Sequence, residues 1–118
     1  MSVFVSESSK SILSGLTKMK EAMIKDYAEF MPPNDEIRKK MNEEYAENYA
    51  ITYGKKYIKI TEKGRGVKAF VVGVDNDKKF KKGDILKPAS WAAPARNVAR
   101  GNILDGGYPI NWTGPLYL

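Results

Sequence analysis

The sequence predicts an α+β fold in which an N-terminal helical hairpin precedes a small curved antiparallel β-sheet or partly open barrel. Apolar residues recur every three or four positions up to Tyr53, which is typical of amphipathic helices. After Gly54 the chain breaks into short β-like runs spaced roughly ten residues apart, which is typical of a small sheet. No linker-like composition separates the halves, so the 118 residues predict one α+β domain, helical over about 8–53 and β-rich over about 55–118.

The first predicted helix covers about residues 8–31. Its apolar stripe advances in steps of three and four and consists of Ile12, Leu16, Met19, Met23, Tyr27 and Phe30. Most of the charged side chains lie off this stripe, as expected for a helix with one buried face. Pro32 and Pro33 end the helix, because neither residue can donate the next backbone hydrogen bond.

The second predicted helix begins after Asn34, a suitable N-cap, and ends at Gly54. Its apolar face recurs every four residues and consists of Ile37, Met41, Tyr45, Tyr49 and Tyr53. The short link between the helices favours an antiparallel hairpin, and helices that straddle a sheet are the alternative. The tyrosines are expected to be buried, with an exposed partner-binding strip as the other interpretation.

Five short strands are predicted in the β-rich half. They cover residues 56–61, 67–74, 85–87, 102–104 and 110–112. Glycine-containing or acidic segments at 62–66, 75–77 and 105–107 predict the turns between them. Trp112 is expected in the core, because a tryptophan buries a large apolar area in a single step.

The composition excludes several classes of function. The chain has no Cys and no His, so thiol nucleophiles, Ser–His or Cys–His hydrolases and His-ligated zinc centres are ruled out. The two glycine-rich phosphate-binding motifs, Gly-x-x-x-x-Gly-Lys-Ser/Thr and Gly-x-Gly-x-x-Gly, are both absent from the sequence. We therefore expect a non-enzymatic protein with no cofactor and no metal, and an enzyme that uses Tyr, Lys or carboxylates is the residual alternative. No secretory signal and no run of about 18 apolar residues is present, which predicts a cytoplasmic protein without a membrane partner.

The net charge of +6 is unevenly distributed along the chain. Up to Gly54 there are seven cationic and nine acidic residues, whereas from Lys55 onward there are thirteen cationic and five acidic residues. Such asymmetry predicts an anionic partner that faces the C-terminal half. The alternative is that these lysines only keep a small β-rich unit in solution.

Ten residues of the basic half are the candidate binding residues. Eight cations are expected to hold phosphates, Trp91 to stack on a base, and Asn97 to add hydrogen bonds. The cations are Lys55, Lys56, Lys59, Arg65, Lys81, Lys82, Arg96 and Arg100.

Two local arrangements support this interpretation. If residues 95–100 form a helical turn after Pro94, Arg96 and Arg100 share one face. Basic hairpin tips around Arg65 and around residues 78–82, at one end of the sheet, predict a clamp on a phosphate backbone. In the competing structural interpretation, the arginines bond backbone carbonyls or the acids of the N-terminal helices.

Four segments of the C-terminal half carry a family resemblance. They are residues 67–71 (VKAFV), 83–95 (GDILKPASWAAPA), 99–103 (ARGNI) and 114–118 (GPLYL). This pattern resembles a family of small uncharacterised proteins encoded by tailed bacteriophages. The resemblance implies a setting, infection of a bacterial cell and therefore the host cytoplasm, in which small basic proteins often contact nucleic acid or disable a host protein.

The leading hypothesis is thus a phage-type accessory protein that binds nucleic acid without strong sequence preference. The main alternative is a protein-binding inhibitor of a host or defence factor that uses Trp91, Arg96, Asn97 and residues 115–118. A virion or assembly component is a third class. Nothing in the sequence indicates an oligomeric state.

Overall fold

A computed structural model describes residues 2–116, and within this range two helices and two antiparallel sheets form an α+β fold. The predicted fold class is therefore confirmed, but two separate sheets replace the single curved sheet and they do not close into a barrel. Neither of the helices in this range is long and apolar enough to cross a membrane.

The N-terminal segment forms a strand that the sequence analysis missed, followed by the first helix. Strand β1 covers Val3–Val5 and helix α1 covers Ile12–Phe30. The α1 N-cap is Ser11, whose hydroxyl accepts a hydrogen bond from the Ser14 N–H at 3.1 Å. The predicted stripe is buried along most of its length, and only its last residue, Phe30, is exposed.

The second helix is shorter than predicted. Helix α2 covers Glu36–Asn48, and its N-cap is Asp35 rather than Asn34, because the Asp35 carboxylate accepts the Arg38 N–H at 2.8 Å. Residues Tyr49–Tyr53 form strand β2 instead of a last helical turn. This segment is rich in β-branched and aromatic residues, and it pairs along its whole length with the next strand.

Gly54 consequently does not end a helix. It lies in the turn between β2 and strand β3 (Tyr57–Glu62), where its N–H donates to the Tyr57 carbonyl at 2.9 Å. The tyrosines predicted to share one helix face are therefore divided between α2 and β2. Tyr45 on α2 and Tyr49 on β2 are buried, whereas Tyr53 at the end of β2 is exposed.

The larger sheet has the order β2-β3-β4-β5 and is antiparallel throughout. Strand β4 covers Gly66–Val72 and strand β5 covers Ile85–Leu86. Between β3 and β4 the register shifts after Ile60, which leaves Lys68 as an extra residue on β4.

The smaller sheet has the order β1-β6-β7, with β6 at Tyr108–Asn111 and β7 at Gly114–Pro115. The strand predicted at 102–104 is wrong. Asn102 makes one isolated bridge to Asp84, and its side-chain oxygen accepts the N–H groups of Leu104 and Asp105, which stabilises a turn.

The main core joins both helices to both sheets. The side chains on the inner face of the larger sheet pack with the apolar faces of α1 and α2 and with the smaller sheet. Trp112 packs against this core and contacts the rings of Tyr27 and Tyr45, so its predicted core position is confirmed. A second cluster, Phe70, Val72, Phe80 and Leu86, lies on the outer face of the larger sheet.

Candidate functional site

A pocket of about 270 Å³ opens on the outer face of the larger sheet, opposite the main core. It spans β2, β3 and β4 and reaches the segment that follows β5. Its lining residues are Thr52, Gly54, Lys55, Lys56, Tyr57, Lys59, Phe70 and Ala92. Three of the eight are lysines from the predicted binding set. We call this site the basic pocket.

The pleat of the sheet determines which side chains reach the basic pocket. Successive residues of a strand point to opposite faces, so Ile58 enters the core while Tyr57 and Lys59 face outward. The register places Thr52 opposite Lys59 and Lys59 opposite Phe70, which makes one cross-strand row. The floor of the pocket therefore rests on hydrogen-bonded strands.

Trp91 lies at the tip of a tight loop beside the basic pocket. The N–H groups of Ala89 and Ser90 both donate to the Ala93 carbonyl, at 3.0 and 3.1 Å, and so fold this loop back on itself. The indole is 61% exposed, and the Lys59 ammonium lies 4.4 Å from its ring centroid. An exposed aromatic ring thus lies directly against a lysine of the pocket.

A buried carboxylate holds one wall of the pocket in place. The guanidinium of Arg96 donates to both oxygens of Asp77, each at 3.0 Å, and the Lys56 ammonium lies 3.1 Å from the same carboxylate. Asp77 also accepts the backbone N–H groups of Lys79 and Phe80. Arg96, followed by the two N–H groups, holds the pKa of Asp77 far below its usual range.

Arg96 extends this network to the pocket itself, because its guanidinium also donates to the Tyr57 hydroxyl. These contacts raise the pKa of Arg96, chiefly through the hydrogen bonds to Asp77. Arg96 is therefore a positioning residue that orients the Tyr57 ring, and its charge is largely compensated by Asp77.

Arg100 does not share a helical face with Arg96. Residues 95–100 form no helical turn, since the N–H groups of Ala95 and Arg100 donate to the carbonyls of Lys87 and Ile85 at 2.7 Å each. These main-chain bonds to the segment around β5 hold the chain extended. The Arg100 guanidinium donates to the Leu116 carbonyl at 3.2 Å, as the structural alternative for this residue expected.

The predicted clamp of two basic hairpin tips is wrong. In an antiparallel meander successive turns alternate between the two ends of the sheet. The β3–β4 turn that carries Arg65 therefore lies at the end opposite the β4–β5 connection that carries Lys81 and Lys82. The β2–β3 turn is the one that lies at the same end of the sheet as the β4–β5 connection. A hydrogen bond from the Gly73 N–H to the Lys56 carbonyl joins the two there.

The remaining predicted residues lie away from the lining of the basic pocket. The Lys81 ammonium is 2.7 Å from the Asp105 carboxylate, which raises the pKa of Lys81. The Lys82 carbonyl accepts a hydrogen bond from the Asn102 side chain. Asn97 is exposed, and its side-chain oxygen accepts the Val98 N–H.

Sequence comparison places the chain in a family. A family of unknown function, DUF7717, matches residues 3–117. The chain belongs to this family. The match covers the N-terminal helices as well as the C-terminal half, to which the resemblance drawn from the sequence was confined. No curated protein and no solved structure matches the chain.

In the described residues of this DUF7717 member, no ion pair joins a cation of the basic half to an acid of the N-terminal helices. Within residues 2–116 every ion pair joins partners from the same half of the chain. Of the two kinds of partner that the structural interpretation offered for Arg96 and Arg100, acids of the N-terminal helices are therefore not used within these residues, whereas a backbone carbonyl is bound by Arg100. Over the same residues, neither Lys55 nor Lys59 has a carboxylate within 4.0 Å.

The sequence analysis missed the neutral part of the DUF7717 site. Tyr57 and Phe70, whose rings meet edge to face at 5.9 Å, are both part of the pocket lining. Their outward positions follow from the alternation with Ile58 and Val71, a signal that the sequence does contain. In the described part of the chain no cluster of three Asp, Glu, His or Cys residues could hold a metal ion.

Proposed function

We propose that this protein is a non-enzymatic accessory protein of bacteriophage type that binds nucleic acid without strong sequence preference, in the host cytoplasm. The observation that carries the proposal is the convergence of Lys55, Lys56 and Lys59 on one pocket beside the exposed Trp91. Lys55 and Lys59, which form no ion pair within residues 2–116, contribute mobile positive charge for phosphates, and an aromatic face accepts any base.

The absence of sequence preference follows from what surrounds the basic pocket. Lysines from a turn and a sheet face contact phosphates, which carry no sequence information. Buried residues of both helices belong to the core on the other side of the larger sheet. Neither helix is thus available beside the pocket to enter a major groove and read base edges.

The phage setting rests on the resemblance of the four C-terminal segments. Two of them frame the proposed site, since residues 67–71 include Phe70 and residues 83–95 include Trp91 and Ala92. The segments that resemble phage proteins therefore supply part of the pocket lining.

The proposal is tested with a fluorescein-labelled 20-nucleotide single strand of mixed sequence, titrated with the protein between about 25 and 300 mM salt. We expect log K to fall linearly with log salt, by about 0.7 for each phosphate contact on a single strand. A shuffled strand of the same composition should bind equally well. Undetectable binding at the lowest salt, or affinity that does not fall as salt rises, would refute nucleic-acid binding.

A protein-binding inhibitor of a host or defence factor is the second candidate. It is favoured by the exposure of two apolar side chains on one loop region, Trp91 at 61% and Val98 at 40%. Arg96 is engaged with Asp77, and residues 117 and 118 of the predicted hot-spot segment lie outside the described residues. A stoichiometric host protein that survives nuclease treatment of the lysate and is lost with Trp91→Ala, without oligonucleotide binding, would favour this candidate.

A further inference from the structure

We propose that the basic pocket receives one unpaired nucleotide of a single strand, with its base on the aromatic side chains and its phosphates on Lys55 and Lys59. This inference rests on the proposed function and adds a preference for single-stranded over double-stranded nucleic acid. The juxtaposition that points to it is the Lys59 ammonium, which lies 4.4 Å from the Trp91 centroid and 5.7 Å from the Phe70 centroid.

The size of the pocket fits a single base. Its volume of about 270 Å³ lies just below the range of roughly 300–1,000 Å³ that accommodates drug-sized ligands. A base pair requires about twice the space of one base, and paired bases cover each other's faces within the stack. Only a base that has left the stack presents its ring to the exposed indole of Trp91.

The chemistry of the lining fits the two parts of a nucleotide. Phe70 and Tyr57 supply an apolar floor, while the lysines stand on the turn and on β3 beside it. Single-strand-binding sheets use the same combination of aromatic side chains on neighbouring strands and a basic groove along the backbone. Lys59 is placed to contact a phosphate next to a base that stacks on Trp91.

The site is organised before any ligand binds. Arg96 holds Tyr57 through its hydroxyl, Asp77 holds Arg96, and the Trp91 loop is closed by its own backbone hydrogen bonds. A preformed site loses little conformational freedom on binding. Because little free energy is spent on ordering the site, stacking on a base of any type can give a measurable affinity.

The test compares a labelled 20-nucleotide oligothymidine with a 20-base-pair duplex at one low salt concentration. We expect Trp91→Ala to weaken single-strand binding about fivefold or more, while duplex binding changes less than about twofold. Trp91→Phe should restore most of the affinity, because a phenyl ring also stacks. Phe4→Ala is the matched control, since Phe4 is also 61% exposed but lies on β1 in the smaller sheet, and it should leave both affinities unchanged.

An abasic strand of the same length isolates the base from the phosphates. We expect wild type to bind it as weakly as Trp91→Ala binds oligothymidine, and oligothymidine to quench the tryptophan fluorescence of wild type more than that of Trp91→Phe. Equal binding of oligothymidine, abasic strand and duplex by wild type and Trp91→Ala would overturn this inference and leave the proposed function intact. Binding to none of the three would refute the proposed function itself.

Discussion

Arg96 and Asp77 are joined by two N–H···O hydrogen bonds of 3.0 Å each, although 19 positions separate them in the chain. The pair fastens the segment after β5 to the connection between β4 and β5. The Asp77 side chain is fully enclosed, and it also receives two backbone N–H groups and the Lys56 ammonium. One carboxylate thereby positions two residues that line the basic pocket, Lys56 by direct contact and Tyr57 through Arg96.

Acid should destabilise the protein through Asp77. Its pKa in the folded state lies below the value of about 3.9 in an unfolded chain, so the unfolded state takes up the proton first as the pH falls. The stabilisation by this group is complete above about pH 5 and is progressively lost below about pH 4. Asp77→Asn should therefore be less stable than wild type at pH 7, and its free energy of unfolding should change less between pH 5 and pH 2.

Urea unfolding at a series of pH values measures this difference. Asp75→Asn is the control. It removes an exposed carboxylate that lies two positions away on the same connection. It should leave the wild-type pH profile nearly unchanged. Parallel profiles for wild type and Asp77→Asn would contradict the role assigned to the Arg96–Asp77 pair.

A second ion pair should matter for stability at the opposite end of β3. The Lys68 ammonium lies 3.1 Å from the Glu62 carboxylate, both side chains are about 10% exposed, and the ammonium is 5.4 Å from the Trp112 centroid. Lys68→Met leaves the carboxylate buried without its partner and should cost about 3 kcal/mol in unfolding free energy. The double variant Lys68→Met with Glu62→Leu should recover most of that loss, and a single variant as stable as wild type would refute this account.

The sequence was sufficient for the fold class and for the first helix, because these depend on local periodicity. It failed at Tyr49–Tyr53, where a four-residue tyrosine repeat is compatible with a helix while the same residues suit a strand. Pairing with β3 decides between the two, and this non-local contact is invisible in the repeat. The turn at Asn102 also depends on contacts that the residue pattern does not show. The Asn102 side chain accepts the backbone N–H groups of Leu104 and Asp105, which a neighbouring strand would otherwise have bound.

About half of the candidate site was predictable. Charge alone points to Lys55, Lys56 and Lys59, and the structure brings them together around one pocket. Charge also points to Arg96, but its partner Asp77 belongs to an Asp-Asn-Asp turn signal, and nothing in the sequence pairs the two residues. Ala92 lines the pocket because of how its loop folds, and no residue pattern encodes that position.

Gly114 should not tolerate a side chain. Its φ is +123°, and a Cβ atom built there would lie 2.3 Å from the Lys68 carbonyl oxygen, where β7 passes β4. Strain and overpacking together should make Gly114→Ala about 3 kcal/mol less stable than wild type. Gly64 also has a positive φ, of +81°, but no heavy atom of the described chain lies within 4 Å of its Cβ position. Gly64→Ala should cost only about 1 kcal/mol by the same urea measurement, and equal losses for the two variants would exclude the close contact as the cause.

Position along the sheet, rather than charge alone, should decide which cations bind nucleic acid. Lys55 lies in the β2–β3 turn and lines the basic pocket, whereas Arg65 lies in the β3–β4 turn at the other end of the larger sheet. Both are exposed cations of the same half of the chain, so substitution by Gln changes the net charge equally. Lys55→Gln should weaken oligonucleotide binding and reduce the slope of log K against log salt by about 0.7, because one phosphate contact is lost. Arg65→Gln should leave that slope close to the wild-type value, and equal reductions for both variants would indicate attraction by overall charge without a localised site.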